Sequence, residues 1–171
     1  MPSPSVLPTP RAGSGKGWWT PWLLHSLRTS LAAAASFAGA RLLRLPEAYW
    51  APISTLVVMQ STVGASWSVS KSRLMGTAIG ALLGGAAGSI APGGIVGLTL
   101  GVLVLGLACG ALRLDVSAYR FAGVAYAIVE LVHSSEPPVV IALHRFIEVS
   151  TGIVVALVVS AVWPSPEPAR T

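Results

Sequence analysis

The sequence predicts an all-α protein, a polytopic membrane helix bundle of about six transmembrane helices, from its composition and its segmentation. Of the 171 residues, 53% are hydrophobic and only 10% are charged, whereas an ordinary soluble domain has about 25% charged residues. The mean hydropathy is +0.73. The apolar residues form about six runs separated by short polar, Pro or Gly clusters, and one spanning helix needs about 20 such residues. This arrangement leaves no room for a separate soluble domain.

Each predicted span ends at residues that interrupt an apolar helix. Residues 1–17 are rich in Pro, Ser and Gly and predict a disordered cytoplasmic tail. Residues 18–164 are the predicted six-helix transmembrane domain, and residues 165–171 are a second short cytoplasmic tail. Pro46 and nearby charges end the first span, the polar and basic connection 64–73 joins the second span to the third, and charged, Pro or Gly clusters end the others. The six predicted spans cover residues 22–43, 49–63, 74–90, 94–112, 118–133 and 139–163.

The positive residues predict which way the bundle faces. With both termini in the cytoplasm, eight Lys and Arg residues lie on the inner side and two, Arg41 and Arg44, lie on the outer side. Cytoplasmic segments carry such an excess of positive charge, so we expect a multi-pass protein with cytoplasmic N- and C-termini. The inner set is Arg11, Lys16, Arg28, Lys71, Arg73, Arg113, Arg120 and Arg170.

Glycines recur at every fourth residue of the third span and continue into the fourth. This spacing lets helix backbones approach closely where hydrophobicity does not drive association. We therefore expect the two spans to pack tightly, against each other or against another subunit; a narrow passage lined by backbone is the alternative. The glycines concerned are Gly76, Gly80, Gly84, Gly88, Gly97 and Gly101.

The second span has more polar side chains than a lipid-facing helix tolerates. Pro52 disturbs its first turn, and Ser54, Thr55 and Gln60 follow. Because unsatisfied polar groups are costly within a bilayer, the polar side should face the interior of the bundle. There it either lines a path for a substrate or ion, or only forms hydrogen bonds between helices.

Several ionisable residues are candidates for a substrate or ion path. Glu130 and Glu148 fall within predicted spans, where a charge is costly and so points to function. His144, Arg145 and Glu148 share one helix face. They relay protons or meet an anion, or Arg145 and Glu148 merely neutralise each other. Arg73, at the end of the predicted cytoplasmic connection, is placed to meet an anionic substrate from inside the cell.

The motifs of common enzymes are absent from the sequence, so catalysis is not expected. There is no nucleophile elbow, zinc-protease motif, phosphate-binding loop or dinucleotide-binding motif. The three histidines lie in different segments and the single Cys109 lies in an apolar run, so no metal, disulfide or cofactor is expected. The net charge is +5, but the basic residues form no single patch, which argues against nucleic-acid binding.

Two motifs stand out beside these features. In the first, an aromatic residue and Trp open a span, a Gly-x-Ser connection follows, and Arg-Leu-x-Gly-Thr-x-x-Gly begins the next span. In the second, an Arg, an acid and a Gly precede an apolar run that ends at Pro. The positions are Tyr49, Trp50, Gly64, Ser66, Arg73, Leu74, Gly76, Thr77 and Gly80 in the first motif and Arg145, Glu148, Gly152 and Pro164 in the second. Both resemble motifs of the fusaric acid resistance and aromatic acid exporter families.

The resemblance covers about residues 20–165 and implies one six-helix unit in the bacterial inner membrane, surrounded by lipid. These families include proton-driven exporters of aromatic and other organic acids, and typical members are longer, so a single unit implies a homo-oligomer. The leading hypothesis is export of small organic anions, with the arginines attracting the anion and the buried acids coupling protons. A passive anion channel and an accessory or structural subunit that packs with a larger transporter are the alternatives.

Overall fold

The structure, a computed structural model, describes residues 19–60, 62–90, 94–132 and 135–163. These residues form six α-helices and no strand, which confirms the predicted all-α class. The two predicted tails lie outside the described residues. In chain order the helices are α1 (Trp19–Leu42), α2 (Trp50–Val58), α3 (Val63–Ile90), α4 (Ile95–Ala111), α5 (Val116–Leu131) and α6 (Pro138–Val162).

One helix in the described part of the chain, α6, is long and apolar enough to cross a membrane by length and composition. It has 25 residues, whereas α4 is a shorter apolar helix. The remaining helices do not meet the same criteria. Length and composition therefore support one crossing, and the arrangement of six spans stays a prediction.

The chain breaks at a different place from the one predicted. α2 has nine residues and ends at Val58, and α3 starts at Val63 and continues for 28 residues through the predicted connection 64–73. That connection has no Pro, and its Ser, Lys and Arg side chains are compatible with a helix. The break falls instead after α2, at Met59, whose backbone is extended. A nine-residue helix is about 13 Å long, so α2 alone is too short for the bilayer core of about 30 Å.

Polar side chains at the break determine where α3 starts. The Oγ1 of Thr62 accepts a hydrogen bond from the N–H of Ala65 (3.2 Å), which is an N-cap contact. The Oγ of Ser66 accepts one from the N–H of Gln60 (3.1 Å), and the side-chain amide of Gln60 donates to the carbonyl of Val57 (3.1 Å). Gln60, a predicted path residue, therefore lies at the end of α2 and closes it.

The long helices α3 and α6 hold the other four helices together. The α1–α2 hairpin packs on the second half of α6 and on the start of α3, and the α4–α5 hairpin packs on the second part of α3. Neither α1 nor α2 approaches α4 or α5. The two hairpins are therefore stacked along α3 and α6, and the residues between them lie near the middle of the molecule.

The glycines of α3 allow its backbone to lie directly against α5. A Cβ atom on Gly80 would be 2.8 Å from the Cα of Ala122, which is closer than a real contact. Gly76 and Gly84 meet the same helix, and Gly88 meets α6. The partner of this glycine stripe is thus α5 rather than the fourth span, because α5 presents small residues such as Ala122 at the crossing. Its backbone fills the space that a passage would need.

The glycines of α4 make room for large side chains of α5. The ring of Tyr126 occupies the space in front of Gly101, and a carboxylate oxygen of Glu130 lies against Gly97. The Tyr126 hydroxyl also donates a hydrogen bond to the carbonyl of Gly97 (2.9 Å). Gly97 and Gly101 therefore both contact α5.

Candidate functional site

Arg73 lies inside the bundle and not in a cytoplasmic loop. Its side chain is 6% exposed, because α3 passes alongside α2 at this point. Its Nη2 donates a hydrogen bond to the Oγ of Ser54 (3.1 Å), and its guanidinium carbon is 4.9 Å from the centre of the Phe121 ring. Within the described residues no carboxylate pairs with Arg73, and its Nε is buried without a partner. Arg73 is therefore a buried cation held by a hydroxyl and an aromatic ring.

Arg145 of α6 contacts acids from two parts of the chain. It is 3% exposed, and its Nη1 donates a hydrogen bond to the Oε2 of Glu148 (3.2 Å). Its Nη2 forms an ion pair with the Oε2 of Glu47, and its guanidinium carbon is 4.2 Å from the centre of a Trp50 ring. Glu47 also accepts a hydrogen bond from the indole N–H of Trp50 (3.1 Å). These contacts fasten the turn between α1 and α2 to α6.

Glu148 has a partner on each carboxylate oxygen. Its Oε2 accepts the hydrogen bond from Arg145, and its Oε1 accepts one from the backbone N–H of Glu47 (2.9 Å). The residue is almost completely buried. The hypothesis that Arg145 and Glu148 neutralise each other therefore matches an observed contact, although Glu47 takes part as well.

A small cavity lies between the two arginines, where the two hairpins come nearest to each other. It has room for roughly one water molecule. Both carboxylates of this region, Glu47 and Glu148, contact Arg145, which leaves the charge of Arg73 without an acid partner. The side chains that line the cavity are Trp50, Arg73, Thr77, Phe121, Val124, Ala125, Ile128, Arg145 and Val149.

The contact of Glu47 with Arg145 brings the chain after the predicted outer arginines close to Arg73, which the charge count places on the inner side. Glu47 follows Arg41 and Arg44, which are predicted to lie outside, and Arg73 is predicted to lie inside. In the structure Glu47 contacts Arg145, and Arg145 lines the same cavity as Arg73. The physical reason is that the connection 64–73 is helical and carries Arg73 back between the helices.

The polar side of α2 contacts its neighbours. The Thr55 hydroxyl donates a hydrogen bond to the carbonyl of Gly152 on α6 (3.0 Å), and Ser54 accepts the bond from Arg73. α2 crosses α6 closely here, because Gly152 has no side chain: a Cβ atom on Gly152 would be 2.7 Å from the Cβ of Ser54. Thr55 therefore forms a hydrogen bond between helices, and Ser54 positions Arg73.

A hydrogen bond between Ser72 and Asp115 determines which part of α5 lies beside Arg73. Asp115 caps α5, since its Oδ1 accepts a hydrogen bond from the N–H of Ala118 (2.7 Å), and its Oδ2 accepts one from the Ser72 hydroxyl (2.5 Å). These bonds, that of Ser72 most strongly, hold the pKa of Asp115 below its ordinary 3.8. Because Ser72 directly precedes Arg73, this contact places Arg73 beside the first turns of α5.

Arg28 joins the ends of two helices and is not among the residues predicted to be functional. It is 2% exposed. Its Nη1 donates a hydrogen bond to the carbonyl of Trp163 (2.9 Å), and its Nη2 donates one to the carbonyl of Gln60 (2.7 Å). Trp163 ends α6 and Gln60 follows α2, so the guanidinium lies where both helix dipoles are negative. Its role is therefore to hold these ends together.

Within the described residues, the side chains of Glu130 and His144 form no hydrogen bond or ion pair with Arg73 or Arg145 and do not line the cavity between them. Glu130 is 8% exposed, contacts α4 at Gly97 and has a buried Oε2 without a hydrogen-bond partner in the described part of the chain. His144 is half-buried on α6 and forms no side-chain hydrogen bond or ion pair with the described residues. The hydrogen bonds of Glu148 come instead from Arg145 and from the backbone of Glu47.

The described residues thus bring together three of the predicted path residues and add several that the prediction lacks. Three of the additional residues, Glu47, Trp50 and Ser54, lie at or near the start of the predicted second span. An acid beside an aromatic pair at a helix start is the signal that points to Glu47. Phe121 has no comparable signal, because only the packing of α5 on α3 brings it to Arg73. The assembled site consists of Arg73, Arg145 and Glu148 with Glu47, Trp50, Ser54 and Phe121.

No group of three or more His, Cys, Asp or Glu side chains suited to a metal ion occurs in the described ranges. Cys109 is free and buried, in a cluster with Leu105 and Tyr126. The chemistry that the assembled site offers is therefore that of fixed charges, hydrogen-bond donors and aromatic rings.

Comparison with known proteins gives the family. The family described as fusaric acid resistance protein-like matches residues 31–159, which is more than half of the chain and contains the whole assembled site. No curated protein matches the chain, and no solved structure does. The resemblance seen in the two sequence motifs is thereby confirmed. The chain belongs to the fusaric acid resistance protein-like family, which indicates a role in membrane transport or efflux.

Proposed function

We propose that the protein is an inner-membrane transport protein that exports small organic acids, in particular aromatic ones, with proton coupling. The buried guanidinium of Arg73 supports this most strongly, because its neighbours in the described part of the chain include a hydroxyl and an aromatic ring but no acid that pairs with it. A buried charge without a counter-charge is unfavourable, and an anionic ligand supplies the missing charge. We therefore assign the carboxylate of the substrate to Arg73.

The other groups around the cavity suit an aromatic carboxylate. Arg binds a carboxylate through two parallel hydrogen bonds, and the Nε of Arg73 has no other partner. Phe121 and Trp50 present ring faces next to the two arginines, and Val124 adds an apolar wall. Small-molecule sites commonly combine an apolar wall with a few fixed polar groups.

The cavity has to widen to admit such a substrate, since it has room for roughly one water molecule. The packing favours such a movement. α5 packs mainly on α3 and only slightly on α6, α6 packs on α3 and on the α1–α2 hairpin, and the backbones of the two hairpins do not approach each other. The proposed transport cycle therefore includes a movement of one hairpin relative to the other, with the cavity between them.

We also propose that all six helices lie in the membrane. Large apolar side chains are exposed on several helices, for example Leu82 (74%), Ile95 (81%), Leu107 (68%) and Val162 (80%). Soluble monomers rarely expose large contiguous apolar patches, whereas a bilayer covers such surfaces with lipid. The basic residues at both chain ends favour cytoplasmic termini, and homo-oligomerisation of the single unit remains part of the proposal.

The orientation is tested by labelling single cysteines with a membrane-impermeant thiol reagent. In a Cys109→Ala background, Ser3→Cys should react in opened vesicles but not in intact cells. Reaction in intact cells would place the N-terminus outside and contradict the proposed orientation.

The transport proposal is tested by efflux of benzoate, the simplest aromatic carboxylate, from cells that express the full chain at normal levels. Arg73→Gln should abolish efflux, whereas Lys71→Gln, which removes an exposed cation two positions away, should retain it. Collapse of the proton gradient should stop efflux. Unchanged efflux in Arg73→Gln would remove Arg73 from the mechanism.

The same assay distinguishes the alternatives. Transport that requires Arg73 but survives collapse of the proton gradient would indicate a passive anion channel. Absence of transport by the purified chain, together with stable co-purification of one larger transporter, would indicate an accessory subunit.

A further inference from the structure

Glu130 differs from the other acids of the helices in its surroundings. It lies near the end of α5 and is 8% exposed. Its Oε1 lies against Gly97, the third residue of α4, and its Oε2 is buried without a hydrogen-bond partner. A buried carboxylate normally has partners for both oxygens, so the unpartnered oxygen requires an explanation.

Glu148, the other acid predicted to couple protons, is in the opposite situation. Both of its oxygens accept hydrogen bonds, from Arg145 and from the backbone of Glu47. Protonation of Glu148 would break the contact with Arg145 and leave that buried cation with one acid fewer. Both oxygens of Glu148 therefore already have hydrogen-bond donors, whereas one oxygen of Glu130 has none in the described residues.

We infer that the carboxyl group of Glu130, buried against the first turn of α4 with one oxygen unpartnered, is the group that takes up and releases the coupled proton. This inference rests on the proposed function. In the uptake step a proton from water adds to a carboxylate oxygen and forms an O–H bond. In the release step that bond breaks and the proton returns to water, so no other bond changes.

The position at α4 explains how a single proton can affect the fold. The first turn of a helix carries a partial positive charge, which stabilises the Glu130 carboxylate and draws α4 towards α5. The neutral carboxylic acid lacks this attraction. The only hydrogen bond between side chain and backbone that joins these helices in the described residues is that of Tyr126 with Gly97. Proton uptake therefore loosens the start of α4 from α5.

Among the described residues, no charged group is paired with Glu130; His133, three positions further on, lies outside the described residues. α4 contains no charged residue, and its titratable Cys109 lies at its far end. The described structure contains no ion pair between Glu130 and any group of the neighbouring elements. The titratable groups of those elements are Lys71 and Arg73 in the first half of α3, Tyr119, Arg120 and Tyr126 on α5, Glu136 after α5, and His144, Arg145 and Glu148 on α6.

The surroundings suit a proton better than a metal cation. Metal cations such as Ca²⁺ take six to eight oxygen ligands, whereas the described site offers one carboxylate with one free oxygen, and no cluster of acids adjoins it. A proton needs only one oxygen.

Infrared titration of the full chain in lipid vesicles tests the inference, because a protonated carboxyl group has its own carbonyl band. All six Asp and Glu carboxyls contribute to this region, but a carboxyl group without hydrogen bonds absorbs at higher frequency than one bonded to water or protein. Wild type should show such a high-frequency band as the pH falls, because Oε2 of Glu130 has no partner in the described residues; Glu130→Gln should lose this band, and Glu148→Gln should keep it. Persistence of the band in Glu130→Gln would overturn the inference. If Glu130→Gln does not assemble, Glu130→Asp replaces it, and an unchanged titration midpoint in that variant would have the same meaning.

A pair of glycine variants tests the contact with α4. A Cβ atom on Gly97 would overlap the Glu130 carboxylate, whereas one on Gly106 would be 3.5 Å from the Tyr119 ring, an ordinary contact. Gly97→Ala should therefore displace the carboxylate from the helix terminus and change the titration of the band, while Gly106→Ala should leave it as in wild type. Equal midpoints in the two variants would contradict the role assigned to α4.

The titration measures the proton without any transport substrate, so its failure differs from failure of the proposed function. If Glu130→Gln loses the band but benzoate efflux continues after the proton gradient is collapsed, Glu130 is the proton site and proton-coupled export is rejected. If efflux depends on the proton gradient but the band persists in Glu130→Gln, the role of Glu130 is rejected and proton-coupled export stands.

Discussion

Glu47, in the turn between α1 and α2, forms an ion pair with Arg145 of α6, and the two residues are 98 positions apart in the sequence. The pair fastens the turn of the α1–α2 hairpin to α6, which lines the cavity through Arg145. It also occupies the charge of Arg145, so that Arg73 is the cation left for a ligand. The assignment of Arg73 as the anion site therefore depends on Glu47.

A double-mutant cycle measures this pair. We expect Glu47→Gln to lower the free energy of unfolding by about 1–2 kcal/mol, since Glu47 is 33% exposed and Arg145 keeps Glu148. Arg145→Gln should lower it by about 3–5 kcal/mol, because a buried carboxylate then lacks its cation. Unfolding in detergent micelles should give a coupling energy of about 1–3 kcal/mol for the double variant. A coupling energy of zero would show that the contact does not contribute.

Arg28 should stabilise the protein by holding the ends of α2 and α6 together, although it does not line the cavity. Arg28→Gln loses two charge-assisted hydrogen bonds to carbonyl groups, and we expect unfolding to become easier by about 2–4 kcal/mol. Arg120→Gln is the matched control, because Arg120 is an exposed arginine on α5. Equal thermal midpoints for the two variants would argue against the role of Arg28.

At Gly80 the backbones of α3 and α5 are in direct contact. Gly80→Ala would place a methyl group 2.8 Å from the Cα of Ala122, and separating the helices should destabilise the protein by about 1–3 kcal/mol. Gly123→Ala on α5 is the control, since a Cβ atom there meets nothing within 4 Å, and a helical Ala should be neutral or stabilising. A tolerated Gly80→Ala would mean that the two helices pack less closely than described.

Asp115 should make stability depend on pH in the acidic range. Hydrogen bonds from Ser72 and from the N–H of Ala118 lower its pKa in the folded state. The resulting stabilisation is present above the pKa of the unfolded chain, about 3.9, and is lost as the pH falls through the lower folded pKa. Thermal midpoints measured from about pH 7 to about pH 3 should fall less steeply for Asp115→Asn than for wild type. Parallel profiles would exclude this contribution.

Several features of the fold were predictable from local composition. The helical class follows from the apolar runs, and the four-residue spacing from Gly76 to Gly88 indicates close packing wherever these residues meet a neighbour. The identity of that neighbour is a tertiary property, and α5 is the partner because its own residues are small at the crossing with Gly80. Spacing within one helix contains no information about the helix that lies opposite.

The misplacement of Arg73 has a local cause. Polar and charged residues in 64–73 resemble a loop by composition, but nothing in that segment breaks a helix, and the break lies where Thr62 caps α3. Glu47 and Arg28 acquire their roles from residues about 100 or more positions away, so their contacts depend on the assembled fold. Charge counting places arginines on a membrane side and does not reveal their partners.

Binding of benzoate to the purified full chain in detergent, measured by equilibrium dialysis, tests most directly whether Arg73 is the anion site. Relative to wild type, Arg73→Gln should raise the Kd at least about tenfold, which corresponds to about 1.4 kcal/mol and to the loss of charge-assisted hydrogen bonds. Lys71→Gln should change the Kd by less than about twofold, because an exposed cation outside the cavity adds little. Equal affinity of wild type and Arg73→Gln for benzoate would contradict the account.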